Sequence, residues 1–394
     1  MIKSALQTLR CRVRPLVPEA LVQKVRGERN VKIASDIVLQ PTLPALKSAF
    51  CHIAHYDPST DMNGAKMRLI EIGAALQRLG VEFYHIRTTD YSVYSFENDG
   101  KFRRSRLGAK ELCARDGIIG VIFAWAWIFE HRQKILENLG FTTKRPFVIY
   151  DSIDFLPLRT QREYESTLMQ QRTVNLSVDQ ELACVRSADL TLAVTEEERL
   201  HFERLGASAT MVLGYAQSDI RVRPRATTKV AGFFGSNNTA NMYSALRSAA
   251  VAKLSGRFSK FIIAGTVCSY RDEVEHLRDV FGWDWLHVHG VADTVSSYYE
   301  LIDVSVHMFA FGSGIKIKNV ETISHGVPLI TNRIGAEGIL VDDGAGMWVV
   351  ETLSEFERAA DQALKAQSHS NASANQLLSN FEAQVGDLVE RTRW

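Results

Sequence analysis

Short runs of β-branched and aromatic residues recur along this chain, separated by longer stretches with helical patterning. That alternation restricts the fold more than any other feature of the sequence. It is the signature of parallel strands joined by crossover helices. The first series reads AFCHIAHY, VEFYHIRT, GIIGVIFAW, PFVIYDSID, ADLTLAVT and ATMVLGY. Between its first two members, AKMRLIEIGAALQRLG closes on Gly80, the residue type that most readily ends a helix. The polar, basic SDIRVRPRATTK, carrying Pro224, reads as a linker. A second series follows: KVAGFFGS, KFIIAGTV, LHVHGV, VSVHMFAF, VPLITNR and MWVVE.

Six strands on either side of a linker predict an α/β chain of two doubly wound, Rossmann-like domains facing a central cleft. The expected boundaries are a basic extension over 1–45, one domain over 46–222, a second over 223–375, and a terminal amphipathic helix over 376–394 with the option of crossing back to the first domain. A length of 394 residues suits two cores better than one. Ligands of such sheets bind beyond the carboxyl ends of the strands, so the strand-to-helix loops are where function is sought.

One such loop stands out. FGSGIKIKNVETISHGVP, residues 311–328, reads as loop, helix, C-cap glycine and a stop at Pro328. Lys316 and Lys318 fall at the start of that helix, the positive end of its dipole, where a cation is unfavourable by roughly 0.3–1 kcal/mol. A glycine-bearing loop entering a helix offers free N–H groups to an anion, and two lysines suit the site to a diphosphate. Glu321, three residues after Lys318, shares its helix face and could accept hydrogen bonds from a ribose diol. An ordinary surface ion pair between Lys318 and Glu321 is the competing reading.

Composition narrows the class. A net charge of +1 makes no case for nucleic acid as a partner. Five scattered cysteines without a CxxC pair support neither a disulfide framework nor a zinc site, and point to a reducing cytoplasm. No apolar run reaches the about 18 residues of a membrane-spanning helix. Residues 1–32 carry eight basic residues against two acidic, a local net of +6. They read either as a solvated strut or as an anchor to an anionic membrane surface, giving a cytoplasmic protein held peripherally at the inner face.

The 311–339 stretch, FGSGIKIKNVETISHGVPLITNRIGAEGI, resembles the C-terminal domain of group 1 (family 4) glycosyltransferases, in particular the subgroup with a GxGIKxKxxE signature. AGFFGSNNTANMYSAL, FIIAGTV and LHVHGVADTVSSYYELIDVSVHMF are similar to the family's preceding strands and turns. YDPSTDMNGAKMRLIEIGAALQRLGVEFYHI is similar to its N-terminal strand, glycine loop and helix. The resemblance implies the GT-B fold and a retaining, metal-independent transferase. Such an enzyme moves a sugar from a nucleotide diphosphate-sugar to a glycan or lipid-linked acceptor, with no cofactor beyond the donor. It implies catalytic roles for Lys316, Lys318 and Glu321. It further implies donor contacts at Gly235, Ser236 and Asn237 of the glycine turn, at His289 and Val291 near the base, and at Ser313, Gly314 and Ile315. Asn63 and Gly64 match the N-terminal loop that approaches the phosphates, and Asp154 matches a recurrent aspartate. The chain departs from the pattern at Ser313, where a glutamate usually begins the E-x7-E pair, and in SNNTANM, where an Arg and a Lys are common.

Other residues are open to two readings. Asp151 and Asp154 end a strand at the cleft, as local caps or as acceptor contacts. Trp125, Trp127 and His131 stand near another strand end, where indoles serve either the core or a stacked sugar. His307 reads as a core histidine. Arg333 and Glu337 read as donor-pocket residues, and Glu337 equally as a helix cap. Two other functions fit the same fold: a partner that binds nucleotide-sugar without turning it over, and a nucleotide-sugar epimerase. The latter calls for acid/base carboxylates that the sequence does not place.

Overall fold

A computed structural model describes residues 48–59, 64–141, 145–167, 178–222, 228–282, 284–341, 344–366 and 372–393. The basic leader, and with it the proposed membrane contact of residues 1–32, lies outside the described residues, as does Asn63.

The first sheet contains eight strands in the order β4-β3-β2-β1-β5-β6-β7-β8. They are β1 (Ala49–Ala54), β2 (Glu82–Arg87), β3 (Val93–Phe96), β4 (Phe102–Arg104), β5 (Ile118–Ala124), β6 (Val148–Asp151), β7 (Leu190–Ala193) and β8 (Thr210–Val212). Six of these are the strands expected from the sequence, all parallel. The remaining two, β3 and β4, form an antiparallel edge that the sequence reading missed. The reasons are local: β3 is only four residues long, and in β4 Phe102 turns into the core while Arg103 and Arg104 face solvent, so neither stands out as an apolar run. The helix after β1, Gly64–Arg78, ends as its glycine predicts. Gly80 donates to Gln77 O and Val81 to Leu76 O, the paired bonds of a Schellman close.

The second sheet has six parallel strands in the order β11-β10-β9-β12-β13-β14. They are β9 (Val230–Phe234), β10 (Lys260–Ala264), β11 (Leu286–Gly290), β12 (Val304–His307), β13 (Leu329–Thr331) and β14 (Met347–Val349). Each sheet reverses direction of growth once, between β1 and β5 in the first and between β9 and β12 in the second. Such switch points leave a crevice outside the strand ends.

A continuous apolar core joins the lobes. Val320, Ile323 and Leu329 of the second lobe bury into the same cluster as the first sheet and the terminal helix. That helix, Ala372–Thr392, lies along Gly64–Arg78: Glu382 pairs with Arg78 at 2.7 Å, and Gln384 accepts the Gly214 N–H at 2.9 Å.

Candidate functional site

The helix Ile317–Ser324 is the next element after β12, at the switch point of the second sheet. Gly312 and Gly314 take positive φ of 143° and 65°, which folds the loop tightly before the helix starts. A Cβ on Gly314 would also lie 3.0 Å from Val194 Cγ2, so the loop approaches the first lobe too closely for a larger residue. At the far end, Gly326 donates to Ile323 O and Val327 to Thr322 O, closing the helix as the sequence predicted.

Neither lysine is splayed into solvent. Lys316 is the N-cap residue and only 9% exposed. Its ammonium donates to Ser313 O at 3.1 Å and Gly314 O at 2.5 Å and lies 3.6 Å from a Glu337 oxygen. Lys318, partly buried, donates to the side-chain oxygen of Asn241 and sits 4.8 Å from the Phe233 ring centroid and 5.5 Å from that of Phe309. Aromatic faces attract a cation but do not cancel its charge. Burial accordingly pulls Lys318 down to about 7, with Glu321 opposing the shift. Burial lowers Lys316 as well, with Glu337 opposing. Glu321 is buried, and its carboxyl is pushed up to about 7 by that burial against the pull of Lys318. An exposed surface pair would show none of this. Desolvation, more than the neighbouring carboxylates, sets the state of both lysines.

Asn241 ties this pocket to the glycine turn after β9. Its Nδ2 donates to Ser236 O and Ser236 Oγ, both at 2.9 Å, while Asn238 caps the following helix by accepting the Asn241 N–H. Gly235 is buried; Ser236 and Asn237 are exposed beside it, and Asn237 N–H bonds Thr266 Oγ1 at 2.9 Å. His289 and Val291 lie exposed at the end of β11, and Gly290 O accepts the Gly265 N–H at 2.8 Å. A buried polar lattice supports the loops from below. Asn319 bonds His307 Nδ1 at 2.5 Å and Gly335 O at 2.8 Å, and Asn332 exchanges bonds with both backbone groups of Phe309. His307 is thus the core histidine expected, held neutral by burial with its pKa down to about 3. A Cβ on Gly335 would fall 1.9 Å from Thr331 Oγ1, so the turn that carries Glu337 admits no side chain there.

The first lobe reaches into the same place. Arg162, on the helix Leu156–Thr167, donates to Gly312 O at 2.8 Å and to both Glu337 oxygens. Asp154 accepts from Ser313 Oγ and from Arg159 at 2.9 Å. Glu198 receives the Val194 and Phe155 N–H groups, and burial followed by the nearby Asp154 raises its pKa to about 8. Gly64 begins its helix opposite Ile317: a Cβ there would come within 2.9 Å of Ile317 Cδ1. Asp151, by contrast, is structural, 1% exposed and paired with the buried Arg68. Trp127 and Trp125 are half-buried and stacked on one another after β5. Arg333 is exposed, and Glu337 is both the C-cap residue of the short helix Arg333–Ala336 and an ion-pair partner of Arg162.

Asn241, Arg162, Asn319 and Asn332 had no place in the sequence reading. Only Asn241 carried a local signal, the Asn-x-x-Asn spacing of an N-cap. Among the described residues no group of three His, Cys, Asp or Glu is arranged to hold a metal ion.

Two doubly wound sheets whose strand ends meet at one cleft define the GT-B fold. Residues 228–366 match the family model of group 1 glycosyl transferases, and this match together with the fold supports glycosyl transfer. Similar solved structures include a sucrose-phosphate synthase from Thermosynechococcus elongatus, at 12% identity and TM-score 0.63, covering 88% of this chain and 99% of that one. The Anabaena protein HepE, solved with UDP, has 13% identity and TM-score 0.58, covering 88% and 100%. A lipopolysaccharide outer core galactosyltransferase, WaaB, has 11% identity and TM-score 0.58, again covering 88% and 100%. No curated protein matches the sequence.

Proposed function

We propose that the protein is a retaining, metal-independent glycosyltransferase of the GxGIKxKxxE subgroup. It would move a sugar from a nucleotide diphosphate-sugar to an acceptor hydroxyl in the assembly of a bacterial surface polysaccharide or glycoconjugate. The observation that carries this reading is the pair of desolvated lysines at the start of the signature helix, whose ammonium groups meet carbonyls, an amide and aromatic rings, with Glu337 beside Lys316 and Glu321 beside Lys318. A bound diphosphate would hold both ammonium groups in their charged form. Structures of HepE with UDP and with UDP-glucose support a nucleotide-sugar as the donor.

On this reading, Lys316, Lys318 and the helix N–H groups hold the diphosphate as negative charge grows on it during departure of the sugar. That is stabilisation of the transition state beyond the ground state. The leaving phosphate takes the acceptor's proton, so no protein base is required. Glu321 receives the ribose; Gly235, Ser236, Asn237, Ser313, Gly314 and Ile315 surround the phosphates and sugar; His289 and Val291 flank the base. Gly64, Asp154 and Trp127 face the acceptor side. The protein acts peripherally at the inner face of a membrane, tested by whether removal of residues 1–32 abolishes pelleting with anionic vesicles; among the described residues no helix is long and apolar enough to cross one.

The deciding experiment is release of nucleoside diphosphate from a panel of nucleotide-sugars, with and without acceptor glycans, and proton NMR of the product anomer. Turnover of no donor in the panel, or an inverted product, would overturn the reading. One observation favours binding without turnover: Ser313, at the usual glutamate position, supplies no carboxylate and donates its hydroxyl to Asp154. Saturable stabilisation by a nucleotide-sugar with no hydrolysis or transfer would establish that alternative.

A further inference from the structure

The first sheet's own switch point, between β1 and β5, carries a second constellation that the donor pocket does not use. The residues just past β1 are His55 and Tyr56; those just past β5 are Trp125 and, on the short helix Ala126–Phe129, Trp127. The two indoles lie nearly parallel, 13° apart with centroids at 5.0 Å. His55 abuts both, at 5.0 Å from Trp125 and 5.9 Å from Trp127. Tyr56 meets Trp125 edge-on at 5.8 Å. On the same short helix Ile128 and Phe129 are fully committed to the core, whereas Trp127 stays half-buried and His55 exposed.

Trp125 holds this arrangement at a cost. Its backbone has φ 64° and ψ 146°, a region that bulky residues avoid at about 1–3 kcal/mol. Three backbone bonds enforce it: its N–H donates to Asp151 O at 2.9 Å, and its carbonyl accepts from Ile128 and Phe129 at 3.2 and 3.1 Å. A glycine would adopt the turn without strain, yet the chain places an indole there. The ring packs against the core on one side and stays half-exposed on the other, so burial accounts for only part of its placement.

We infer that the Trp125–Trp127 pair, edged by His55, is a stacking platform for a sugar ring of the acceptor, so that the acceptor presents a glycan rather than only a lipid to this lobe. A pyranose has one face of C–H groups, which lies flat on an electron-rich indole, and a rim of hydroxyls within reach of an imidazole. The location follows the rule that ligands of open α/β sheets sit at the switch point. The inference rests on the transferase reading for the word acceptor, but the platform itself is testable without turnover.

The test is a tryptophan-fluorescence titration of the full chain with methyl glycosides of glucose, galactose, mannose, rhamnose and N-acetylglucosamine, with uridine as the competing flat ligand. We expect saturable perturbation by at least one glycoside and none by uridine at this site. Trp127→Phe and His55→Ala, the latter at an exposed position, should each weaken glycoside binding about three- to tenfold. Unchanged melting temperature confirms that both variants fold. Silence toward every glycoside, preference for uridine, or full affinity in both variants overturns the platform. Glycoside binding in a protein that turns over no nucleotide-sugar would leave the platform standing and remove the transferase reading; donor hydrolysis without glycoside binding would do the reverse.

Discussion

Arg162 and Glu337 meet across the cleft through two hydrogen bonds, 2.8 and 3.0 Å long, one to each carboxylate oxygen. One residue belongs to the helix after β6 and the other to the turn after β13, so the pair ties the lobes together beside Lys316. Forked pairing of this kind fixes geometry as well as charge.

Replacing Arg162 by Met should therefore lower folding stability by about 1–3 kcal/mol, because Glu337 and the Gly312 carbonyl both lose a charged donor. A double-mutant cycle with Glu337→Gln, followed by chemical denaturation, should return a coupling of about 0.5–3 kcal/mol. A coupling of zero would mean the pair does not hold the lobes.

Lys318→Ala should reduce donor turnover about 10²–10³-fold, by analogy with removal of a single charge-stabilising donor. Asn241→Ala, which frees the lysine from its amide partner, should have a smaller effect. Wild-type rates in Lys318→Ala, read as nucleoside diphosphate released, would contradict the proposed role.

Nucleotide diphosphate binding should weaken as pH rises through about 7. The free protein's Lys318 is pulled down to about 7 by burial, so above that pH a growing fraction lacks the charge. A bound diphosphate favours the ammonium, and the apparent dissociation constant rises in inverse proportion to the charged fraction, up to tenfold per pH unit. Calorimetry of UDP binding at pH 8 in two buffers of different ionisation heat should show proton uptake. Release of protons, or none, would rule this out.

Two buried histidines of the first lobe should weaken folding in mild acid. His52 and His85 face each other at 3.0 Å between Nδ1 atoms, and burial holds both neutral, His52 well below the usual range and His85 at about 4. Their unfolded pKa is about 6.5. Between about 6.5 and 4 the unfolded chain takes up protons that the folded one refuses, so stability is intact above that window and falls as pH drops through it. The slope is up to about 1.4 kcal/mol per pH unit for each histidine. Raised carboxyls such as Glu198 act in the opposite direction, so the test is the difference between the native chain and His85→Gln: an identical shift of the denaturation midpoint between pH 7 and 5 in both would show that His85 is not held neutral.

Arg68→Met should destabilise by about 3–5 kcal/mol, since it strands the buried Asp151 carboxylate. Arg68 also donates to Leu213 O at 2.7 Å and Gly214 O at 3.1 Å, so Asp151→Leu added to Arg68→Met should recover only part of the loss. Full recovery would assign the whole effect to the stranded charge.

All six strands expected in each half are present, because a buried parallel strand writes itself as a compact apolar run. Strands β3 and β4 escaped notice because they are only four and three residues long, and β4 carries two exposed arginines. The loop around Gly312–Lys318 was legible for a similar reason: turn, charge and helix start are neighbours in the chain. Trp125 was legible as a strand-end residue, but its strained backbone and its stacking on Trp127 were not.

Local order along the chain thus set the two doubly wound sheets, the glycine loop and the placement of two lysines at a helix start. Folding in three dimensions decided what those lysines meet. Asn241 lies 77 residues from Lys318, Asp154 lies 159 from Ser313, and Arg162 lies 175 from Glu337. How strongly a charge is desolvated, and which group answers it, depends on such distant contacts and the water they exclude, and no periodicity in the sequence records either.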